Sequence, residues 1–189
     1  MKNPVKRPGR VSKRDQLLDA AADIVSKRGA QYLTIDAVAL AANVTKAGLI
    51  YHFKTRDELL SALVERMVAQ LDILAYARNA LPTTPSSLRT TLDRIKQYTF
   101  DMPPDQRQLL SNMLGAVSSN PLLLPPAQAL YARGYNWMIQ SGEHAGEAMM
   151  LSAALDGITL LELLNLHQFT PEQRDAMRAA IDAAISKLP

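Results

Sequence analysis

A chain of 189 residues, 48% apolar and 21% charged, is long enough to bury a sizeable core and is composed like an ordinary soluble globular protein. It contains no cysteine, which excludes disulfides, cysteine-ligated zinc and thiol nucleophiles and is compatible with a reducing cytoplasm. The net charge is only +3, but residues 1–58 hold 11 Lys/Arg against 6 Asp/Glu while the remainder holds 10 against 12. A basic front on a mildly acidic body points either to nucleic acid at one end or to a solvated basic tail.

Residues 1–11 carry Lys2, Lys6, Arg7 and Arg10 among two prolines and a glycine. With so little apolar content they read as a disordered basic arm, either solvated or settled near a DNA backbone or minor groove. Charges stand where a secretory signal needs an apolar core, so no signal peptide is expected. Ser12 and Asp15 then make a capping box for a helix running to about Lys27. Leu17, Leu18, Ala21, Ile24 and Val25 share one face of it, and Gly29 is its stop.

The stretch 34–58, TIDAVALAANVTKAGLIYHFKTRDE, reads as two short helices joined by a tight turn, then the start of a third. Thr34 is an N-cap, and Ile35, Val38, Ala39 and Ala42 follow at helical spacing on one apolar face. Asn43 stands where the first helix must stop, since its short amide tolerates positive φ. Thr45 caps the next helix, from Lys46 to about His52, which turns Leu49 inward and leaves Lys46, Ala47, Gly48 and Tyr51 outside. A basic, small and aromatic outer face suits insertion into a major groove, and the whole is a helix-turn-helix.

These residues resemble the DNA-binding domain of tetracycline-repressor (TetR) family transcriptional regulators. The likeness is carried by Thr34, Val38, Ala39, Ala42, Val44, Thr45, the Tyr51-His52-Phe53 run, Lys54, Thr55 and Arg56. It covers residues 12 to about 65 and departs at Asn43, where the family usually has glycine. The resemblance implies that Tyr51, His52 and Arg56 hold the DNA backbone while Lys46, Ala47 and Gly48 face bases. Thr34, Thr45 and Lys54 complete the expected DNA-binding set. On the residues alone, Gly48 serves close helix packing equally well, Lys46 is equally a solvated lysine, and Phe53, with no donor, belongs in the core.

A second capping box, Thr55 with Glu58, opens a long helix. Its apolar stripe (Leu59, Leu60, Leu63, Val64, Met67, Leu71, Leu74) reaches to about residue 78 and makes it the one mechanical link between head and body. Thr84 as N-cap with Pro85 at the first helical position marks the next helix, striped by Leu88, Leu92, Ile95 and Thr99. A further helix is expected over 105–117. Prolines 121, 125 and 126 break the chain, and helix resumes at about Ala127 towards Gly142, with Gly134 weakening its middle. Two last helices are expected over about 143–165 and 170–187, the second opened by the capping-box sequence Thr170-Pro171-Glu172-Gln173.

The fold class that follows is all-α. A basic arm over 1–11 precedes a three-helix helix-turn-helix domain over 12–58, then a larger C-terminal helical ligand-binding and dimerisation domain over 59–189. Ala153, Gly157, Ala180 and Ala184 let helices approach closely while Leu160, Leu164, Met177 and Ile181 fill a seam, so the last two helices are the expected homodimer surface, unless these faces are intramolecular core. Tyr98, Met113, Trp137 and Met138, with Phe100, line either a small-molecule pocket or a plain core. Asp156, the one acid in the apolar run 148–161, either binds a cationic or hydrogen-bonding effector or lies at an interface edge. That run is too short to span a membrane. His144 and Glu147 are two metal-type ligands without a third, so no metal or cofactor is expected. There is no Gly-rich phosphate loop, no Gly-x-Ser-x-Gly and no His-Glu-x-x-His, so the expectation is not an enzyme. It is a cytoplasmic homodimeric repressor, released from an operator in double-stranded DNA by an unknown small molecule, or else a helix-turn-helix protein without an effector.

Overall fold

A computed structural model describes residues 12–76 and 87–189, and the described residues are helical with no strand among them. The basic arm, the Thr84 cap with Pro85, and the end of the linking helix near residue 78 lie outside the described residues, as does the side chain of Leu74. Helix α1 (Lys13–Arg28) starts on Ser12, whose hydroxyl oxygen accepts from the Asp15 amide at 3.1 Å and whose O–H donates to the Asp15 carboxylate at 2.6 Å. It ends at Gly29, whose φ of 98° is open to glycine but strained for other residues. Helices α2 (Ile35–Ala41) and α3 (Lys46–Ile50) follow, then α4 (Arg56–Tyr76), about 31 Å long at 1.5 Å per residue.

Leu17, Leu18, Ala21 and Val25 of α1 bury against Val38 and Ala39 of α2, Leu49 of α3, Phe53, and Leu59, Leu60, Leu63 and Val64 of α4. The head's core therefore continues past residue 58 along the first turns of α4. Two arginines lock this part of α4 in place. Arg56 donates to the carbonyls of Leu33 and Ala30, each at 2.9 Å. Arg66 meets the Asp19 carboxylate at 2.7 Å and the Leu18 carbonyl at 2.9 Å.

The body consists of α5 (Leu88–Asp101), α6 (Pro104–Ser119), α7 (Pro125–Met138), α8 (Ala145–Leu163) and α9 (Pro171–Ile185). Leu88, Leu92, Phe100, Met138, Leu155, Ile158, Ile181 and Ile185 form its core. Helix α6 belongs to both parts. Its Met113 lies buried in the head's cluster, and its Asn112 amide donates to the α1 carbonyls of Val25 at 2.7 Å and Ser26 at 3.2 Å. The linking helix is thus not the one element touching both parts.

Several boundaries differ from those the sequence suggests. Helix α3 stops at Ile50, and Tyr51 and His52 form a turn instead of its last residues. Ser87 caps α5, accepting from the Thr90 amide at 3.2 Å. Pro104 and Pro125 open helices instead of breaking them, because the first turn has no use for the missing N–H. The α9 box is complete: Thr170 accepts from the Gln173 amide at 3.3 Å and Gln173 accepts from the Thr170 amide at 3.0 Å.

At the meeting of α6, α8 and α9 sits Glu162, its side chain only 3% exposed. It pairs with Arg107 at 2.5 Å and with Arg174, which also donates to the Phe100 carbonyl at 2.8 Å. Burial alone pushes this carboxyl up, but the hydrogen bonds from Arg174 and Arg107 outweigh it and hold the group below 4.5. Glu162→Ala leaves two guanidiniums facing each other without their carboxylate, and a loss of about 3–5 kcal/mol is expected in urea titration near neutral pH. A depressed folded pKa gives stability that is full above the unfolded value and lost as pH falls through the folded one. The wild type should therefore weaken below about pH 4.5 more steeply than the variant.

Candidate DNA-binding face and effector cavity

Each helix of the helix-turn-helix is capped at its start by a threonine side chain. Thr34 Oγ1 accepts from the Ala37 amide and Thr45 Oγ1 from the Gly48 amide, both at 3.1 Å, so both helices start where the sequence caps them. Asn43 adopts φ 51°, the left-handed conformation that lets the chain reverse between α2 and α3. Leu49 and Phe53 are buried, and Thr34, Thr45, Lys46, Ala47 and Gly48 are exposed on the outer side. A Cβ at Gly48 would meet only Thr45 Oγ1, at 3.2 Å, so this glycine serves the cap and an open face and packs against no other helix.

Tyr51 is 86% exposed and stands edge-on to the half-buried His52, with ring centres 5.2 Å apart. Its hydroxyl, the imidazole and the exposed Lys54 are donors of the kind that hold phosphate oxygens. Lys54 is positioned by its backbone amide, which donates to Glu58 at 2.7 Å. Arg56 differs from its neighbours. Two of its nitrogens are engaged with Leu33 and Ala30, and a third lies 3.6 Å from Asp57. Lys46 is also paired: its ammonium lies 2.9 and 3.1 Å from the two carboxylate oxygens of Asp36 on α2.

A cavity of about 200 Å³ lies between α4, α5, α6, α7 and α8. Val64, Met67, Val68 and Leu71 form one wall and Leu110, Met113, Leu114 and Val117 another, so the lining is mainly aliphatic. Of the five residues expected at a ligand site, the structure brings Tyr98, Met113 and Asp156 together here. Trp137 and Met138 do not line it. They lie seven residues, about two turns, beyond Leu130 and Tyr131, which do line the cavity, and pack in the core with Phe100. Burial pushes the Tyr98 hydroxyl up to about 12, against an opposing hydrogen bond with Gln106.

Asp156 is the outstanding polar group of the cavity. Burial lifts its carboxyl to about 6, although hydrogen bonds from Tyr135 and Tyr131 pull the other way. The Tyr135 hydroxyl donates at 3.4 Å. These tyrosines lie four residues apart on one face of α7, a spacing visible in the sequence whose partner was not. Arg94 also lines the cavity, and its Nη1 is buried without a hydrogen-bond partner among the described residues. Among those residues no three His, Asp or Glu come together as a metal site, and no helix is long and apolar enough to cross a membrane.

A helix-turn-helix head seated on a helical body with an internal apolar cavity defines the architecture of a DNA-binding regulator. Residues 17–63 match the family model of bacterial regulatory proteins of the tetR family, and residues 85–186 match the tetracyclin repressor-like C-terminal domain. The chain belongs to the TetR family of transcriptional regulators. It is 27% identical over 150 residues to the transcriptional regulator AcrR of Shigella flexneri, spanning 75% of this chain and 68% of AcrR. It is 23% identical over 108 residues to the negative regulator IcaR of Staphylococcus aureus, 57% of this chain and 55% of IcaR. The crystal structure of multidrug binding protein EbrR with malachite green superposes with a TM-score of 0.67 at 25% identity, covering 96% of this chain and 99% of EbrR. A further EbrR structure holds ethidium, with a TM-score of 0.65.

The left-handed Asn43 makes the turn testable. A β-branched side chain is strongly disfavoured there, so Asn43→Val should cost about 1–2 kcal/mol in thermal or urea unfolding, whereas Asn43→Gly should be tolerated.

Proposed function

We propose that this chain is a homodimeric repressor that a largely apolar, cationic small molecule releases from its DNA operator. The observation that carries the reading is Asp156, an acid held in an aliphatic cavity two of whose walls, α4 and α6, also pack against α1. A carboxylate there costs desolvation energy that a bound cation recovers, and an apolar cage around it selects a lipophilic body. Arg94 Nη1 offers a donor to any acceptor the ligand carries. The binding of cationic dyes by EbrR is consistent with the same chemistry. A helix-turn-helix protein without an effector is the other reading, and it gives such a cavity no purpose.

At the DNA, Lys46, Ala47 and Gly48 face bases, while Thr34, Thr45, Tyr51, His52 and Lys54 hold phosphates. Arg56, engaged with Leu33 and Ala30, supports the head from within and is withdrawn from the phosphate set. One such head reads too little sequence for an operator; two, set about 34 Å apart or a multiple of it, read two half-sites. Ligand binding shifts α4 and α6 against α1, the separation of the heads changes, and the DNA spacing is no longer met.

The pairing surface is the outer side of α8 and α9. Met150, Ala153, Ala154 and Leu161 are exposed along α8 with Leu164 just past its end, and Ala176, Ala179, Ala180 and Ala183 along α9. Nothing lies within 4 Å of a Cβ built on Gly157, which leaves room for a helix of the second copy. Ile181 is no part of this seam, since it is buried in its own chain's core, and Met177 packs there too.

Two measurements test the proposal. The raised pKa of Asp156 means that stability is full below its unfolded value near 3.8 and lost as pH rises through about 6. Asp156→Asn should therefore stabilise the unliganded protein by about 1–3 kcal/mol near neutral pH. Benzyltrimethylammonium, followed by calorimetry, should bind the wild type more tightly as pH rises through about 6 and bind the variant weakly at every pH. Equal binding by the variant would remove Asp156 from the site, and a bound cation that leaves the DNA complex intact in a band shift would sink the release mechanism.

For assembly, Leu161→Glu with Leu164→Glu should halve the sedimenting mass while leaving the helical circular dichroism intact, and should weaken operator binding as each protomer is left with one half-site. A variant with unchanged mass would exclude this surface.

A further inference from the structure

The Asp36–Lys46 pair poses a problem that the DNA-binding reading leaves unsolved. An acid on a face that meets phosphates opposes association, since each negative charge there cancels part of the counterion-release gain. Asp36 in the first turn of α2 favours that helix's N-terminus, but the pairing itself adds little: both side chains are more than half exposed, at 72% and 59%. What the pair does provide is a donor group and an acceptor group held 2.9 Å apart at the start of α3, on the two helices that form the helix-turn-helix.

A base pair presents the complementary arrangement in the major groove. The guanine O6 acceptor and the cytosine N4 donor are partners in a Watson–Crick hydrogen bond and so lie about 2.9 Å apart. We infer that Asp36 and Lys46 act as one unit that reads a G·C base pair in each half-site, Lys46 donating to guanine and Asp36 accepting from the cytosine amine. An A·T pair also offers a donor beside an acceptor, thymine O4, but the thymine methyl group adjoins that acceptor and is poor company for an ammonium. In G·C the neighbour of O6 is N7, a second acceptor within reach of the same ammonium. Asp36 also holds Lys46 back from phosphate oxygens, so its charge is kept for the base edge. Asp36 is thereby a specificity-determining residue, a role no local sequence pattern assigns to a first-turn acid.

The inference rests on the chain's binding DNA through this face, and the test separates the two. Full-length wild type, Asp36→Ala and Lys46→Met are each taken through rounds of selection from a library of random duplex DNA, and the enriched sequences are compared. Circular dichroism melts confirm that each variant folds. The wild type should enrich a two-half-site motif with a fixed G·C pair in each half. Asp36→Ala should retain the motif but lose preference at that pair, by about 5–100-fold in relative affinity, and Lys46→Met should lose it at the same pair. Asp36→Ala should also bind unselected duplex more tightly and with a steeper salt dependence, as Lys46 turns to phosphate. An unchanged preference in Asp36→Ala, even with tighter unselected binding, overturns the reading unit and leaves DNA binding standing. A wild type that enriches no motif overturns the DNA-binding reading itself.

Discussion

The joint between α6 and α1 is the constraint on which the two-part structure depends. The last turn of any helix leaves carbonyls unsatisfied, and α1 gives that of Ser26 to the side-chain amide of Asn112, which also shares the Val25 carbonyl with the capping Gly29 amide. Ser26 returns a bond to the Asp105 carbonyl at 3.2 Å. One residue further along α6, Met113 is buried in the head's core and also faces the cavity. A single helix turn therefore carries the end of α1, part of the head's core and a cavity wall. Whatever changes the shape of the cavity acts on a helix that cannot shift without breaking or moving the α1 cap.

Glu162 performs the equivalent task on the other side of the body. Helix α8 has an unusual burden, with Ser152, Asp156 and Thr159 towards the cavity, Leu155 and Ile158 in the core, and Met150, Leu161 and Leu164 outside. Three differently used faces leave little room for ordinary amphipathic patterning. Its position is fixed instead by a buried ion triad with α6 and α9 and by Ser111 donating to the Leu163 carbonyl at 2.8 Å. Removing Glu162, the buried member, is costly because both arginines then lose their carboxylate. The cavity consequently sits between two fixed seams, α6 with α1 and α6 with α8.

What was legible in the sequence was what is decided within a few residues. Thr34, Thr45 and Thr170 cap because a hydroxyl three residues from a free amide is a local fact, and Asn43 reverses the chain through its own backbone preference. The apolar stripes of α1, α4 and α5 were legible for the same reason, since their period matches the helix. Residues whose partners lie far along the chain were not. Arg56 bonds carbonyls 23 and 26 residues away, Asn112 reaches back 87, and Glu162 gathers arginines from two other helices. Trp137 and Ile181 show a related limit. Periodicity identifies a buried face but cannot distinguish core from cavity or seam, and both side chains face their own chain's core.

The energetics of the proposed switch follow from where charge is stored. A ligand shifts the equilibrium between two conformations only by its difference in affinity for them, so tight binding that is equal in both changes nothing. Asp156 supplies such a difference if the conformations differ in how closely α7 and α8 meet, because Tyr131 and Tyr135 on α7 are the hydrogen-bond partners of a carboxylate on α8. With the cavity empty, those two hydroxyls are what stabilises the charge, and they draw α7 onto α8. A cation that takes over the carboxylate relieves the tyrosines of that role and frees α7 to move, while its apolar body presses on Met67 of α4 and Met113 of α6. Coupling of about 1–3 kcal/mol is enough to weaken DNA binding roughly 5–150-fold. Exchanging two hydroxyl hydrogen bonds for one ion contact in a mainly aliphatic cavity is a change of that order.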